Sequence, residues 1–309
     1  MRHTDARIPS TMHARNSRVE RPLTLIDRKS SVGATEDHSV MEFYEQFPCG
    51  GIETEDDARW IRLPWMERSF EPRGHAGKRV LDLGCGIGID AQRFVEGGAM
   101  LVGVDFALKP LRIASARLRK QGVRGSWQLV RADARALPFK SRAFDYVYSD
   151  GVLHHIVGHG TAIKEAYRCL RTGGRGTVLV YHKWSVMTAL TLLARLVPWR
   201  DRFGSRILRT LAFQSSEATQ AGLAEVFHHP VIQYFTRPLL RRKLQEAGFV
   251  AASVDAHDWL FPFVRRTART EPSRMEQRFG RFLIAKFRKE PTFGSPVSRR
   301  PEPVTRAPS

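Results

Sequence analysis

Short apolar runs that alternate with helical patterns between residues 79 and 181 are the feature that most constrains the fold. Strand, helix and strand in succession are typical of a parallel sheet covered by helices on both faces. Two later runs, 249–256 and 281–287, extend that sheet, so we predict an α/β chain with a doubly wound, mostly parallel seven-stranded sheet. The five earlier runs are 79–84, 99–105, 126–133, 144–150 and 175–181, with helices expected at 88–97, 107–121 and 160–171.

The first run leads into a glycine-rich turn, "VLDLGCGIGID", at the edge where open α/β sheets bind ligands. Gly84, Gly86 and Gly88 lie where the strand turns into its helix, and glycine lets the backbone approach a ligand closely. The spacing is GxGxG, whereas a dinucleotide site has GxGxxG. Asp82, two residues before the first glycine, suits an amine-bearing ligand better than a pyrophosphate. Taken alone, the glycines are also compatible with a tight turn that binds nothing.

Four further segments follow this turn in an order that makes the chain resemble the class I S-adenosylmethionine-dependent methyltransferases that act on small molecules or lipids. The segments are "VGVDFA" (102–107), "RADARALPF" (131–139), "FDYVYSDGVLHHI" (144–156) and "EAYRCLRTGGRGTVLVY" (165–181). Their order and spacing agree with that family over about residues 78–182. The resemblance implies a Rossmann-like methyltransferase fold and S-adenosyl-L-methionine as the cofactor.

The same resemblance implies a set of cofactor-binding residues. Asp82 would lie near the amino group of the methionine part, Asp105 would bind the ribose hydroxyls, and Asp133 with the Ala134 backbone would meet the adenine. Cys85 is also interpreted as a small packed residue of the loop. The full set is Tyr44, Asp82, Gly84, Cys85, Gly86, Gly88, Asp105, Phe106, Asp133, Ala134, Ser149 and Asp150.

Two histidines after the fourth strand, His154 and His155, are the candidate catalytic residues. Methyl transfer is an in-line displacement, which needs a base only when the nucleophile starts protonated. We expect His154 to be that base, with packing or positioning as the alternative role for either residue. His159 lies nearby, but no Cys or carboxylate cluster completes a ligand set, so no metal site is predicted.

The chain divides into a polar N-terminal arm (1–38), a methyltransferase domain (39–289) and a proline-rich tail (290–309), the two ends being expected to be disordered. Within the domain, residues 39–75 are expected to form lid helices, in which Tyr44 would contact the cofactor or line the acceptor pocket. Plain packing of an amphipathic helix is the alternative for this segment. Residues 183–236 are expected to form a helical cap insertion before the sixth strand.

The insertion bears on the acceptor, because residues 186–213 combine an apolar stripe, Trp199 and a basic amphipathic part. This pattern is typical of a helix that lies on an anionic membrane surface, and equally of a cap over the substrate pocket. The acceptor is therefore expected to be a small molecule or lipid-like compound, such as a quinone, lipid, glycan or secondary metabolite.

The formal net charge of +19 could also indicate a nucleic-acid partner. The turn after the fourth predicted strand, "SDGVLHH", has neither the Asn/Asp-Pro-Pro pattern of adenine-N6 enzymes nor a Pro-Cys. An RNA methyltransferase is therefore kept only as the alternative, followed by a non-catalytic cofactor-binding scaffold. Three cysteines without a CxxC spacing, and no signal peptide or membrane-spanning run, favour a cytoplasmic protein that is peripheral at most.

Overall fold

The computed structural model describes residues 24–25, 34–48, 60, 63, 65–120, 126–195, 229–258 and 272–291. Their centre is an eight-stranded sheet in the order β1-β4-β3-β2-β5-β6-β8-β7. The strands are β1 (Thr24–Leu25), β2 (Arg79–Leu83), β3 (Met100–Asp105), β4 (Ser126–Arg131), β5 (Phe144–Asp150), β6 (Leu170–Tyr181), β7 (Val250–His257) and β8 (Phe282–Arg288). Strands β1 to β6 pair in parallel, whereas β8 is antiparallel to both of its neighbours. The predicted α/β, mostly parallel sheet is confirmed.

Helices cover both faces of the sheet. They are α1 (Ala34–Gln46), α2 (Trp65–Phe70), α3 (Ile89–Glu96), α4 (Leu108–Lys120), α5 (His159–Cys169), α6 (Val186–Arg195), α7 (Arg237–Glu246) and α8 (Arg274–Phe279), with single 3-10 turns at Pro72–His75 and Leu153–His155. No helix in the described part of the chain is long and apolar enough to cross a membrane.

The central strand β2 shows why its residues form a buried strand. Val80, Leu81, Asp82 and Leu83 are all buried, and successive residues of a strand point to opposite faces. Val80 joins an apolar layer with Phe70 and Phe94, whereas Leu81 and Leu83 join the layer on the other face, which includes Ile163 and Leu240 from α5 and α7. Parallel strands with a nearly continuous apolar sequence are usually buried on both faces.

Two local features differ from the expectations drawn from sequence. Thr24–Leu25 pairs with Val130 and Arg131 of β4, and α1 begins at Ala34, so parts of the arm expected to be disordered adopt regular structure. Gly173 and Gly174, which follow the helix expected at 160–171 and precede the strand expected at 175–181, lie inside β6. Strand pairing is irregular between Leu170 and Arg175, and Gly173 has a φ of 74°, so these residues form a bend within the strand.

The topology brings several strand ends to one edge of the sheet. Asp105, Asp150 and Tyr181 are the last residues of the parallel strands β3, β5 and β6. Because β8 is antiparallel to β6, its first residue, Phe282, pairs with Tyr181 at the same edge. The glycine turn after β2 lies there too, so this edge is where a ligand would bind.

Candidate functional site

A cavity of about 380 Å³ opens at this edge of the sheet. Its volume lies within the range of about 300–1,000 Å³ that is usual for small-molecule sites. Ten of the fourteen residues singled out from sequence line it: Tyr44, Gly84, Cys85, Gly86, Asp105, Phe106, Asp133, Ala134, Asp150 and His155. Asp82, Gly88, Ser149 and His154 do not line it.

The three glycines of the turn have positive φ angles of 80°, 52° and 79° in chain order, but they differ in surroundings. A Cβ on Gly84 would lie 2.2 Å from the Val152 side chain, and one on Gly88 would lie 2.8 Å from the Ala114 Cβ of α4. A Cβ on Gly86 would meet open space. Gly84 and Gly88 therefore allow close packing within the protein, whereas Gly86 leaves room at the cavity for a ligand.

Asp105 joins the glycine turn to the end of β3. Its Oδ2 accepts the N–H of Gly86 at 3.0 Å, and its Oδ1 accepts the N–H of Ala107 at 3.0 Å. Burial raises the pKa of this carboxyl above its ordinary value, although the Ala107 and Gly86 donors act in the opposite direction. The carboxylate is fixed at the cavity wall by backbone donors, which is the arrangement needed to orient it toward hydroxyl groups of a ligand.

Asp133 is held by an arginine that the sequence analysis did not single out. Arg135 Nη2 lies 2.7 Å from Asp133 Oδ2, and Arg135 Nη1 donates to the Val157 carbonyl at 3.0 Å. Arg135 also lines the cavity. The sequence pattern that could have indicated this contact is the position of Arg135 two residues after Asp133, a spacing at which the two side chains can meet in a loop.

Asp90 is a second residue that sequence reasoning missed. Its Oδ1 accepts the Trp60 indole N–H at 3.1 Å, and its Oδ2 lies 2.8 Å from the Tyr148 hydroxyl. The same hydroxyl lies 3.2 Å from Asp150 Oδ2, so one tyrosine connects two carboxylates of the cavity wall. The two acids beside the glycine turn create a negative region that suits an ammonium group.

Asp82 and Ser149 lie just beneath the cavity. Asp82 is 2% exposed, and the Ser149 hydroxyl donates to the Leu83 carbonyl at 3.0 Å. This bond joins the ends of β2 and β5, the two strands that carry the glycine turn and Asp150. Ser149 therefore helps to shape the strand ends that form the site.

The two histidines have different environments although they are adjacent. His154 is fully buried, its ring is stacked on Tyr181 at 4.0 Å, and burial together with the charge of His155 holds its pKa well below the ordinary value. His155 lines the cavity, and its Nδ1 lies 2.8 Å from the Val231 carbonyl. A carbonyl only accepts, so His155 Nδ1 donates to it, and in the tautomer with that one ring proton the lone pair is on Nε2. His155 is therefore the histidine at the cavity that can accept a proton.

The wall farthest from the β3–β4 side is aromatic and basic. Tyr181, Arg281 and Phe282 line it. Tyr181 ends β6 and Phe282 begins β8. The sequence analysis expected neither residue at the site, because these strands are far apart in the chain and pair only in the folded sheet. Among the residues that the structure describes, no group of three or more His, Cys, Asp or Glu could hold a metal ion.

The central part of the chain is similar to known methyltransferase sequences. Residues 81–178 match the family model described as "Methyltransferase domain". The ubiquinone biosynthesis O-methyltransferase of Pseudomonas fluorescens is 31% identical over 119 residues, which are 38% of this chain and 50% of that protein. The chain thus spans about half the length of the curated relatives it matches.

Solved structures show the same fold. A SAM-dependent methyltransferase from Thermotoga maritima, described as a possible histamine N-methyltransferase, aligns with a TM-score of 0.51 at 20% identity over 81% of this chain and 100% of its own. The 1,6-didemethyltoxoflavin-N1-methyltransferase of Burkholderia thailandensis was solved with bound 1,6-didemethyltoxoflavin and S-adenosylhomocysteine. It aligns with a TM-score of 0.52 at 18% identity over 86% of this chain and 94% of its own. At these identities the likeness concerns the fold.

Proposed function

We propose that this chain, whose residues 81–178 form a methyltransferase domain, transfers a methyl group from S-adenosyl-L-methionine to a small-molecule acceptor. The observation that carries the proposal is the common cavity. It combines a glycine turn with open space at Gly86, the fixed carboxylate of Asp105 and the linked pair Asp90 and Asp150.

The residues present fit this cofactor. Asp105, at the end of β3, would accept hydrogen bonds from the ribose hydroxyls, and the Asp90–Asp150 pair would attract the ammonium group. Gly86 gives the methionine part its space. Asp133 and the Ala134 backbone would lie at the adenine, with Arg135 fixing the Asp133 carboxylate. The cofactor supplies a methyl group activated by its positively charged sulfur.

We place the acceptor between the glycine turn and the wall formed by Tyr44, His155 and Tyr181. His155 Nε2 would take the proton of an acceptor hydroxyl as its oxygen attacks the methyl carbon, and the bond electrons would leave with the sulfur. We therefore favour His155 over His154 as the base, because His154 lies beneath the cavity wall and its lowered pKa opposes proton uptake.

The proposed activity is tested by binding followed by transfer. Calorimetry should show S-adenosylhomocysteine binding, and a cell extract supplied with a labelled methyl donor should yield labelled product in the small-molecule or organic fraction. Label confined to nucleic acid would overturn the acceptor class. A chain that binds neither the donor nor its product would overturn the proposed function itself.

For the base, we expect His155→Gln to lower kcat at least about 100-fold, the usual contribution of a general base. Affinity for S-adenosylhomocysteine should stay within about twofold, because glutamine keeps a polar side chain at the wall. His159→Gln is the matched control, since His159 follows on the same segment but does not line the cavity. Equal kcat values in the two variants would exclude His155 as the base.

We further propose that the protein contacts an anionic membrane surface through α6 and the residues just before it, Lys183 and Trp184. Trp184, Leu192 and Leu193 are 63%, 48% and 62% exposed, and the Lys183 ammonium lies 5.3 Å from the Trp184 ring centroid. Exposed apolar residues with neighbouring cations are typical of interfacial helices. The remainder of the amphipathic segment, from residue 196, lies outside the described residues.

This contact predicts co-sedimentation with vesicles that contain phosphatidylglycerol, at low salt. Leu193→Glu should weaken binding several-fold, because it places a negative charge on the surface that faces the lipid. Met275→Glu alters a comparably exposed apolar residue of α8 and should have no such effect. Loss of binding that is equal in both variants would argue against α6 as the contact.

A further inference from the structure

We infer that Arg281 binds an acidic group of the methyl acceptor, and that the acceptor is a hydroxylated aromatic carboxylate. This inference rests on the proposed function and assigns its substrate class. Arg281 lines the cavity directly before β8, on the wall opposite the strands that carry Asp105 and Asp133.

The backbone of Arg281 is fixed on both sides. Its N–H donates to the Asp258 carbonyl at 3.0 Å, and its own carbonyl accepts the N–H of His182 at 2.9 Å. These bonds connect the start of β8 to the ends of β7 and β6. The backbone position of Arg281 is therefore fixed by the sheet. A residue that determines specificity requires such a rigid position.

The guanidinium is oriented by two aromatic rings of the cavity wall. It lies 5.3 Å from the Tyr181 ring centroid and 4.9 Å from that of Phe282, and Nη2 is 3.4 Å from the Tyr181 hydroxyl. Cation–π contacts of this length hold the group in place. The planar donor fork of arginine matches a carboxylate, with which it forms paired hydrogen bonds.

The charges of the cavity are divided between its two sides. One side carries four carboxylates of the cavity wall, at the start of α3, at the ends of β3 and β5 and just after β4: Asp90, Asp105, Asp150 and Asp133. Arg135 is on that side too, in its ion pair with Asp133. Arg281 brings a positive charge to the β6–β8 side, so a ligand with an acidic group would place that group there.

Aromatic rings on the same wall favour a planar acceptor. The Tyr181 and His155 rings are 6.1 Å apart in an edge-to-face arrangement, and Tyr44 lies 6.1 Å from His155. Both His155 and Arg281 adjoin Tyr181, so one small molecule can reach both. A planar aromatic acceptor would place its hydroxyl at His155 Nε2 and its carboxylate at the Arg281 guanidinium. Its ring would pack against the aromatic side chains of the wall.

The inference is tested with 3,4-dihydroxybenzoate and its neutral analogue 3,4-dihydroxybenzamide, in the presence of S-adenosylhomocysteine for binding and of the methyl donor for turnover. Wild-type protein should bind the acid at least about tenfold more tightly than the amide, the usual effect of one charge-assisted contact. Arg281→Gln should remove that preference by weakening the acid alone, and Arg281→Lys should keep part of it.

Arg278→Gln is the matched control. Arg278 also lies over an aromatic ring, that of Phe279 at 5.3 Å, but it is exposed on α8 and does not line the cavity. It should retain the preference for the acid, and all three variants should bind S-adenosylhomocysteine like the wild type.

Three results would overturn the inference. One is equal wild-type affinity for acid and amide, or no binding of either, in a protein that binds S-adenosylhomocysteine. Another is equal weakening of both compounds by Arg281→Gln. The third is a tenfold loss of S-adenosylhomocysteine affinity in Arg281→Gln, which would assign the guanidinium to the methionine carboxylate. Failure to bind S-adenosylhomocysteine in the wild type would instead refute the proposed function, and with it the inference.

Discussion

Asp105 is a single side chain on which the shape of the site depends. Its carboxylate accepts the backbone N–H of Gly86 in the glycine turn and that of Ala107 after β3, and it lines the cavity. Cys85 lies next to it with a different role. Its pKa is raised by burial and by the charges of Asp82 and Asp105, and a Cβ on Gly103 would lie 2.9 Å from its Sγ. The thiol is therefore a protonated packing group, as the sequence analysis allowed.

Asp105→Asn should lower affinity for S-adenosyl-L-methionine by about 10- to 100-fold. The reason is that hydrogen bonds to a charged group contribute about 1.5–3 kcal/mol, and the amide replaces one acceptor with a donor. Calorimetry measures the change. Asp145→Asn is the control, since Asp145 binds Arg79 and Arg171 at the other end of the sheet and should leave affinity unchanged. Unaltered binding by Asp105→Asn would refute the assigned ribose contact.

At the scale of elements, the turn between β2 and α3 combines packing and binding within five residues. Gly84 lets β2 approach Val152, Gly88 lets α3 approach α4, and Gly86 faces open space. The lid helix α1 is fixed to the same region, since Glu45 accepts the N–H groups of Leu108 and Lys109 at the start of α4. Tyr44 is thereby placed at the cavity.

Gly86→Ala and Gly88→Ala should separate these two roles. Both substitutions force an L-residue into the left-handed region, at about 1–2 kcal/mol. Gly88→Ala also meets the Ala114 Cβ at 2.8 Å, so denaturant unfolding should show the larger loss of stability for this variant. Gly86→Ala should lose at least about tenfold in cofactor affinity, because its methyl group enters the ligand's space. The reverse pattern would contradict the assignment of Gly86 to binding.

At the scale of the whole molecule, burial of neutral histidines couples stability to pH. His75 is stacked on Tyr146 at 3.8 Å, and burial, aided by the charge of Lys78, lowers its pKa from 6.5 to about 4. The unfolded chain therefore binds a proton at a higher pH than the folded one. Stability from this residue is complete above pH 6.5 and is lost as the pH falls toward 4.

His75→Phe should make the protein less sensitive to acid. The ring contact with Tyr146 is retained while the titrating group is removed. Between pH 7 and 5, we expect the wild type to lose about 2 kcal/mol more free energy of unfolding than the variant, at 1.36 kcal/mol per unit of pKa shift. Urea unfolding at both pH values measures this. Parallel losses in the two proteins would show that His75 is not responsible.

Local sequence patterns determined most of the secondary structure of this protein. Apolar runs and helical periods predicted the seven main strands and their covering helices, because each element depends on residues close together in the chain. Gly84 and Gly86 of the turn and the acids at 105 and 133 line the cavity, since the end of a parallel strand fixes where the next residue lies.

Only the tertiary structure decided the side chains that complete the site. His154 and His155 differ by one position in a short 3-10 turn, so sequence alone did not indicate which faces the cavity. Asp90 and Tyr148 meet across 58 residues, and Arg281 reaches Tyr181 across 100. Such contacts depend on the order of strands in the sheet, here β8 inserted antiparallel beside β6, and that order is fixed by packing between distant segments.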